Sequence, residues 1–485
     1  MFVKKEYRKP LKMSAKYPIF SLTKDSWNDY STYSLFDLNF HESDEITHNI
    51  GRIKILQKDS SSTIIPNEFL KLDENYISLG QDISFYKNLL DIIGESESEI
   101  VLEALNDISW ETNKAKDFEY KADYRNSLLR ENSAHNALRF GRSIILNENY
   151  TEDFSFKYVV NIDGSNNPFE ISVDFDEDDI IPGRIVGIIG RNAVGKTQLM
   201  GNLAKDLVQV GRKSKKSLDS RDERFIGNRP IFNKVITVSY SAFDKFIRPS
   251  KPQRSYNYCG IRTDNGSISI KQLVESYKDN LIKIKELDRE HLWVKYMMQI
   301  FENRDSLYQS FLEKQIENND FSKNDPLSLL SSGQSILAHF VTAIIAKIQI
   351  NTLVLFDEPE THLHPNAVAS LFNVLNDLLR KYNSFAIIAT HSPIVIQEIP
   401  SKRVILLTRE NNSTIATKME FETFGENISE LTRHVFDTVS ITNFYKIVLK
   451  NLSKTKSYDE ICDLFDNNLS FNAKAFLLAQ YGLDQ

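Results

Sequence analysis

The chain has 485 residues, a 41% share of hydrophobic residues and a formal net charge of −7, which predicts a folded, water-soluble protein of two or three domains, or of one large domain with insertions. No apolar run approaches the roughly 20 residues that a membrane span requires. The basic first residues lack the apolar core of a secretory signal, so we expect a cytoplasmic protein. Only two cysteines occur, Cys259 and Cys462, which argues against a disulfide framework or a structural zinc site.

The first 180 residues contain short segments in which apolar and polar side chains alternate, the pattern typical of half-buried strands. The clearest segments are Phe36–Phe40, Ile53–Ile55, Phe154–Tyr158 and Ile171–Phe175. We expect these strands to form an antiparallel β arm. Leucine or isoleucine at three- and four-residue steps predicts helices within residues 82–105 and 124–138.

From Arg184 onwards the pattern changes to short runs that are apolar on both faces, as in a parallel sheet covered by helices. These runs are Ile185–Ile189, Val235–Val238, Leu353–Phe356, Phe385–Ala389 and Val404–Leu407. A charged helical stretch, Lys271–Asn318, interrupts the series, and amphipathic helices follow from Asn427. The expected organisation has four parts: a first lobe with the β arm (residues 1–270), a helical insertion (271–326), a second lobe (327–426) and a helical tail (427–485).

The segment Gly190-Arg-Asn-Ala-Val-Gly-Lys-Thr197 fits the phosphate-binding pattern GxxxxGK[ST] between a predicted strand and a predicted helix. Glycines allow backbone N–H groups to turn towards phosphates, and the start of the helix adds unpaired N–H groups and its dipole. Lys196 is expected to reach the β- and γ-phosphates of ATP, and Thr197 to ligate Mg²⁺. The predicted nucleotide contacts are Gly190, Arg191, Asn192, Ala193, Val194, Gly195, Lys196, Thr197 and Gln198.

A second candidate segment, Leu353-Val-Leu-Phe-Asp-Glu358, is an apolar strand that ends in two carboxylates. Asp357 is expected to hold Mg²⁺, directly or through water. Glu358 is expected to orient and polarise the attacking water, since a general base must lie within hydrogen-bond reach of its proton. An acidic pair after a strand is common by itself, and the phosphate-binding segment upstream is what favours the catalytic interpretation.

Two further segments lie at predicted element ends. Leu330-Ser-Ser-Gly-Gln334 precedes an amphipathic helix, which Ser331 can cap while N–H groups remain free for an anion. His391 follows a buried strand, at the end where open α/β sheets bind ligands, and we expect it to contact the γ-phosphate or to position the water. His362 and His364 have no third ligand nearby in the sequence, so we expect them in a loop that crosses a dimer interface rather than in a zinc site.

In this order, GRNAVGKT, LSSGQ, LVLFDE, PETHLHP and THS resemble the Walker A, signature, Walker B, D-loop and switch-histidine motifs of the ABC ATPase superfamily. The resemblance covers about Gly183 to Leu407 and implies the α/β fold of an ABC-type ATPase head, a P-loop parallel core sheet plus an antiparallel β arm, with ATP and Mg²⁺ as cofactors. It also implies a head-to-head dimer in which the signature of one subunit contacts ATP on the other, through Ser331, Ser332, Gly333 and Gln334. The Arg-Asn pair of the first motif and the THLHP segment resemble the DNA-associated RecF, Rad50 and SMC branch rather than membrane transporters.

Two positions depart from the pattern of that superfamily. Ala193 stands where the Walker A motif usually has a glycine. The strand Val235–Val238 continues as Ser-Tyr-Ser-Ala-Phe-Asp244, without the glutamine with which the Q-loop of the family begins. The sequence therefore leaves open how this chain would sense the γ-phosphate.

Four stretches resemble, more narrowly, the PtuA family of ATPase subunits from Septu anti-phage defence systems: Tyr76–Asp82, Ser239–Asp244, Tyr258–Arg262 and Phe424–Ile428. This resemblance implies an oligomer of ATPase dimers and a partner HNH nuclease of the PtuB kind. The acidic cluster that an OLD-type nuclease requires is not seen in the sequence after His391. We therefore expect no nuclease centre in this chain, so that another chain does any cutting of DNA.

The preferred hypothesis is an ATP-controlled defence module, in which ATP closes two heads and thereby changes the activity of the nuclease. The alternative is a RecF-like DNA-repair ATPase that binds duplex DNA. The best basic patch is Gly211–Lys216 with Arg221, Arg224 and Arg229, which could hold phosphates without reading sequence or be an ordinary solvated loop. A scaffold that binds ATP without hydrolysing it is a third hypothesis, disfavoured by the acidic pair and the switch histidine. DNA is a candidate partner, and a membrane is not.

Overall fold

The computed structural model describes residues 1–6, 17–148, 153–177, 180–239, 241, 244–249, 253–263, 266–267, 270–301, 312–313, 332–361, 363–436 and 444–482. The chain divides into two compact units, Met1–Gly425 and Glu426–Gln485, and each has an apolar core of its own. None of the helices within the described ranges is long and apolar enough to cross a membrane.

A six-stranded sheet with three helices forms the amino-terminal arm. Its strands are β1 (Phe2–Lys5), β2 (Ile19–Lys24), β3 (Leu35–His41), β4 (Thr47–Gln57), β5 (Glu68–Phe69) and β6 (Tyr76–Gly80). They pair in the order β5-β1-β2-β3-β4-β6, antiparallel except for β1 with β2. Helices α1 (Ile83–Ile93), α2 (Glu95–Ala104) and α3 (Asn132–Ile145) bury their apolar stripes against the sheet, because alternate strand residues are apolar on that face.

Twelve further strands belong to the first unit: β7 (Phe156–Val160), β8 (Phe169–Val173), β9 (Ile185–Gly190), β10 (Phe225–Ile226), β11 (Lys234–Ser239), β12 (Tyr256–Gly260), β13 (Arg262–Thr263), β14 (Gly266–Ser267), β15 (Thr352–Asp357), β16 (Phe385–Thr390), β17 (Val404–Glu410) and β18 (Ser413–Lys418). The central sheet has the order β12-β11-β15-β16-β9-β17-β18, and all its pairs are parallel except β17 with β18. A small antiparallel sheet, β10-β7-β8, shares a core cluster with it.

The remaining helices of this unit are α4 (Lys196–Leu207), α5 (Lys215–Asp222), α6 (Ile270–Glu286), α7 (Glu290–Ile300), α8 (Ser332–Lys347), α9 (Pro365–Lys381) and α10 (Pro393–Ile396). The second unit contains α11 (Ile428–Phe436), α12 (Phe444–Leu452), α13 (Tyr458–Asp463) and α14 (Phe471–Gly482). Short 3-10 turns at Thr112–Ala115 and Ser401–Arg403 and a π turn at Tyr124–Leu128 complete the described elements.

The expected α/β fold, with a parallel core sheet and an antiparallel arm, is confirmed. The five runs that are apolar on both faces form β9, β11, β15, β16 and β17, and β9, β15 and β16 are buried along their whole length. Their carboxyl ends lie at one edge of the sheet because the strands are parallel. The predicted phosphate loop, acidic pair and switch histidine all follow strands at that edge.

Two asparagine side chains of α3 attach the arm to the core of the ATPase lobe. The amide nitrogen of Asn132 donates to the carbonyl oxygens of Leu207 (2.9 Å) and Phe232 (2.8 Å). The amide nitrogen of Asn136 donates to the Ile231 carbonyl oxygen (3.1 Å). Both asparagines are buried, so these hydrogen bonds satisfy polar groups that water does not reach.

Candidate nucleotide-binding site

The phosphate-binding segment forms the turn between β9 and α4. Two of its glycines have no room for a side chain, since a Cβ at Gly190 would clash with the Leu407 carbonyl and a Cβ at Gly195 with the Ile162 side chain. Gly195 also has a φ of 100°, a conformation that only glycine adopts readily. The helix begins at Lys196, so its first N–H groups have no partner within the helix and are suited to an anion.

Lys196 is buried in this turn, with 5% of its surface exposed. Its ammonium group donates to the carbonyl oxygens of Gly190 (2.8 Å) and Arg191 (3.1 Å). Burial lowers the pKa of Lys196, and the nearby carboxylates of Glu358 and Asp357 oppose that change. The ammonium group therefore lies between the loop and the acidic end of β15, where it could contact the β- and γ-phosphates.

The other residues of the segment differ in exposure. Val194 is buried in the core below the turn, whereas Arg191, Asn192 and Ala193 are exposed. The side-chain oxygen of Gln198 accepts a hydrogen bond from the N–H of Asp163 (2.7 Å). Gln198 thus fixes the loop that follows β7 beside the turn, while the exposed residues are those that an incoming nucleotide can reach.

Two side chains of the β17–β18 hairpin hold the turn from the side, a contact that the sequence did not reveal. Arg409 donates to the carbonyl oxygens of Ala193 (3.0 Å) and Gly164, and the Thr414 hydroxyl donates to the Val194 carbonyl oxygen (3.1 Å). Ala193 has a φ of 67°, a left-handed conformation that costs a residue with a Cβ roughly 1–2 kcal/mol. The hairpin therefore stabilises a strained alanine at the position where Walker A motifs usually have a glycine.

The substitution Arg409→Gln is expected to raise the Kd for ATP by about three- to tenfold, because the turn loses hydrogen bonds to two carbonyl oxygens. Adding Ala193→Gly should recover part of this loss, since glycine adopts the left-handed conformation without strain. Titration with a fluorescent ATP analogue measures both effects, and Arg433→Gln in the second unit is the matched control. Equal Kd values for the wild type and Arg409→Gln would show that the hairpin does not position the turn.

Asp357 ends β15, and its side chain is fully buried. Burial raises the pKa of Asp357 to about 7; the charge of Glu358 adds to the rise, and the Thr197 hydroxyl opposes it. Neither carboxylate oxygen accepts a hydrogen bond of ordinary geometry from the residues that the structure describes. A buried carboxylate without donors requires a cation or a proton, so Asp357 and Thr197 fit the Mg²⁺ site that the sequence predicts.

No group of three or more His, Cys, Asp or Glu side chains within the described ranges could hold a metal ion by itself. A magnesium ion at Asp357 would therefore take further oxygen ligands from the phosphates and from water. Mg²⁺ is commonly bound in this way, by one or two protein oxygens and the phosphates of its nucleotide.

Glu358 and His391 meet at the adjacent ends of β15 and β16. The N–H of Glu358 donates to the Ala389 carbonyl oxygen (2.8 Å), and the Oε1 atom of Glu358 lies 3.3 Å from Nδ1 of His391. Glu358 has a φ of 52°, a conformation that is rare and costly for a residue with a side chain and is concentrated at functional sites. The predicted base and the predicted switch histidine are thus in direct contact.

Glu360 is a site residue that sequence reasoning missed. Its Oε1 atom accepts hydrogen bonds from the Thr390 hydroxyl (2.6 Å) and the His391 N–H (3.1 Å), and lies 3.4 Å from His391 Nδ1. Its Oε2 atom is buried without a hydrogen-bond partner among the described residues. Glu360 therefore fixes the start of the histidine loop, and its position two residues after Glu358 was the available signal.

The signature and the histidine-rich segment lie only partly within the described residues. Ser331 and His362 fall outside them. Ser332–Gln334 form the first turn of α8, but their side chains are not described. The Nδ1 atom of His364 accepts a hydrogen bond from the N–H of Asn366 (3.4 Å), so His364 caps α9. The contact of the signature with a second subunit stays a prediction.

The segment after β11 brings a carboxylate, rather than the amide of a Q-loop glutamine, towards the site. Asp244 is buried; its two oxygens accept hydrogen bonds from Arg248 (2.7 Å) and the Tyr258 hydroxyl (2.8 Å). Burial and the charge of Glu358 are the main causes of the raised pKa of Asp357, and the negative charge of Asp244 adds to that rise. The charge of Asp244 is therefore felt at Asp357, although Asp244 is itself ion-paired with Arg248.

The arginines of the predicted basic patch make internal ion pairs. Arg221 and Arg229 lie 2.8 and 3.2 Å from the carboxylate of Asp222, and Arg224 pairs with a buried aspartate of α4. Burial lowers the pKa of Arg229 to about 10. These arginines stabilise the fold, and the exposed cations of the patch are confined to Gly211–Lys216.

Residues 185–397, from β9 to the helix after the switch histidine, match the family described as "AAA domain, putative AbiEii toxin, Type IV TA system". The chain is 29% identical to Protein ea59 of Escherichia phage lambda, over 94% of each protein. A stretch of 81 residues is 37% identical to the Old nuclease of Escherichia phage P2. That stretch is 17% of this chain and only 13% of the nuclease.

Solved structures with a similar fold include the SMC head domain from Thermotoga maritima, at 13% identity and a TM-score of 0.28, covering 55% of this chain and 98% of that one. Another is cbiO1 from Clostridium perfringens, part of an ABC transporter complex, at 14% identity and a TM-score of 0.31, covering 65% of this chain and 100% of that one. The names of the two phage relatives do not mention the Septu system, so the resemblance to PtuA stays a prediction. Residues 185–397 form a P-loop ATPase domain.

Proposed function

We propose that this chain binds and hydrolyses ATP between two copies of its ATPase head, and that closure of the heads controls a partner HNH nuclease in an anti-phage defence complex. The observation that carries the proposal is the convergence of Lys196, Asp357, Glu358 and His391 at one edge of a single parallel sheet. The third carboxylate, Glu360, holds the histidine in place.

Each of these side chains has a separate role in hydrolysis. The N–H groups at the start of α4 and the Lys196 ammonium group bind the phosphates and orient the γ-phosphate. Asp357 and Thr197 would hold Mg²⁺, which would supply positive charge to the phosphate oxygens. Glu358 accepts the proton of the attacking water at Oε1, and His391 holds that carboxylate and the water in position.

The position of α8 supports the need for a second copy. This helix begins with the signature and packs against β11 and β12. β15 and β16 separate β11 from β9, the strand that leads into the phosphate loop. At roughly 4.8 Å per strand spacing, β11 and β9 lie about 14 Å apart. A signature carried on that side of the sheet is suited to a nucleotide bound by another subunit.

Mixing two inactive variants tests this arrangement. Lys196→Ala removes the phosphate contact but leaves the signature intact, and Gly333→Asp does the reverse. If the site is shared between subunits, a mixture of the two variants should hydrolyse ATP although each alone does not, because one of the two interfacial sites is then complete. Two folded variants whose mixture stays inactive would contradict a shared site.

The second unit supports docking of the nuclease. Its helices expose large apolar side chains, of which Phe444 is 81% and Phe471 84% exposed. These two rings lie on helices α12 and α14, which pack against each other, and aromatic side chains left in water are suited to burial by a partner. An HNH nuclease with a complementary apolar surface is the proposed occupant.

The double substitution Phe444→Ser and Phe471→Ser should weaken co-purification of a co-expressed HNH nuclease by at least about tenfold, since each buried aromatic contributes on the order of 1–3 kcal/mol. Tyr120→Ser in the first unit, where the tyrosine is 68% exposed, is the control. Undiminished co-purification would place the nuclease on another surface.

A further inference from the structure

A cavity of about 550 Å³ opens at the amino ends of the parallel strands, at the edge of the central sheet opposite to the phosphate loop. Its walls come from β4 of the arm, from residues 253–257 and from the carboxyl end of α8. The side chains that line it include five basic and two acidic ones: Arg52, Lys234, Arg254, Lys283 and Lys347, with Asp82 and Glu131. Small-molecule sites commonly have volumes of roughly 300–1,000 Å³.

Both acidic side chains of the cavity already have structural hydrogen bonds. Asp82 caps α1 by accepting a hydrogen bond from the N–H of Ser84 (2.9 Å). Glu131 accepts a hydrogen bond from the N–H of Ser255 (3.1 Å), and its other oxygen lies 3.6 Å from Nε of Arg130. Two of the basic groups have carboxylate partners as well, since Arg52 lies 3.7 Å from Asp37 and Lys283 lies 2.8 Å from Glu286. Lys234, Lys347 and Arg254 remain.

Among the described residues, no carboxylate lies within ion-pair distance of Lys234, Lys347 or Arg254, although the charge of Glu131 acts on Lys234 and Arg254. The Lys234 ammonium group donates to the Lys347 carbonyl oxygen (3.1 Å), at the end of α8. The Lys347 ammonium group donates to the neutral side-chain oxygen of Asn280 (2.7 Å). The Arg254 guanidinium group stacks on the ring of Trp27, with its central carbon 4.6 Å from a ring centroid.

Burial and neighbouring cations both lower the pKa of two of these groups. Burial lowers the pKa of Lys234 to about 8, and the charges of Lys347 and Arg289 add to that effect. Burial and the charge of Arg52 lower the pKa of Arg254, and the carboxylates of Glu131, Asp29 and Asp25 oppose that change. The carboxyl end of α8 favours the cations Lys234 and Lys347, but it does not account for Arg254. A bound anion would relieve the repulsion.

We propose that this cavity binds a small phosphorylated ligand, either a nucleoside phosphate or a short inorganic polyphosphate, through Lys234, Lys347 and Arg254. Guanidinium and ammonium groups are the side chains that proteins use for phosphate. The amides of Gln253 and Gln349 also line the cavity and supply neutral donors. The cations surround one cavity rather than following a stripe along the surface, which favours a small ligand over nucleic acid. The site is separate from the ATP site and does not depend on the proposed hydrolysis.

Calorimetric titration of the Lys196→Ala protein with pyrophosphate and with ADP tests the proposal, because this background weakens binding at the phosphate loop and any binding that remains there should not respond to substitutions in the cavity. Adding Arg254→Gln or Lys234→Gln should raise the Kd at least about tenfold, as expected for one lost charged hydrogen bond. Adding Lys418→Gln, at the end of β18, should leave the Kd unchanged. An unchanged melting temperature of the Arg254→Gln protein shows that the fold is intact.

Binding of ADP in preference to pyrophosphate would identify a nucleotide site, and the reverse preference an inorganic polyphosphate site. The proposal is overturned if neither ligand binds in the Lys196→Ala background, or if Lys418→Gln weakens binding as much as Arg254→Gln. A single-stranded oligonucleotide that binds more tightly than both ligands, and loses the same affinity in the variants, would also overturn it in favour of a nucleic-acid surface.

Discussion

The substitution Lys196→Ala is expected to raise the Kd for ATP by roughly 100- to 1,000-fold, the effect of removing one partner from a buried charged contact. The ammonium group of Lys196 lies between the loop carbonyl oxygens and the carboxylates of Asp357 and Glu358. Without it, Mg²⁺ alone would offset the repulsion between the phosphates and these two carboxylates. The loss should therefore be larger for ATP than for ADP, which carries less negative charge.

Equilibrium binding of a fluorescent ATP analogue measures this effect. Lys205→Ala is the matched control, because Lys205 is exposed on the same helix. A melting temperature near that of the wild type would show that the alanine has not unfolded the turn. A Kd within threefold of the wild type would mean that the phosphates bind elsewhere.

The substitution Glu358→Gln is expected to slow hydrolysis by roughly 100- to 10,000-fold, the range that general-base catalysis contributes. Glutamine keeps the shape of the side chain and its hydrogen bond with His391 but cannot accept the proton of water. Binding of ATP should be retained or tightened, because a negative charge beside the γ-phosphate is removed. ATP should therefore hold the variant in the dimer of closed heads.

Phosphate release measures the rate, and size-exclusion chromatography with and without ATP measures the dimer. Glu410→Gln, at the exposed end of β17, is the control for the loss of one carboxylate. Glu360→Gln is a useful second variant: it should slow hydrolysis less, because Glu360 positions the histidine loop rather than the water. Hydrolysis by Glu358→Gln at the wild-type rate would assign the base to another residue.

The sequence predicts the central sheet well because strands buried on both faces must be apolar throughout. It does not predict β12, since Tyr256–Gly260 is an edge strand of mixed polarity, with buried and half-buried residues. It also does not predict the strand order: β9 lies between β16 and β17, which depends on packing between segments far apart in the chain. Local periodicity carries no information about such neighbours.

The same limit applies to the candidate site. The phosphate loop, Asp357, Glu358 and His391 could be predicted because each chemical role requires a residue type at a fixed place after a strand. Arg409 could not, because its hydrogen bond to Ala193 joins residues that are distant in sequence and involves a backbone carbonyl group. Contacts of side chains with backbone atoms impose no recognisable spacing on a sequence.

The hydrogen bond from Asn132 to Leu207 joins the carboxyl end of α4 to the arm. This helix starts at Lys196 and ends at Leu207, a length of about 18 Å at 1.5 Å per residue. Its far end is held by Asn132 through the Leu207 carbonyl oxygen. A displacement of the first turn of α4 on phosphate binding would therefore be transmitted along the helix to the arm. The position of the arm would then depend on which nucleotide is bound, and a molecule that binds the arm would respond to that difference.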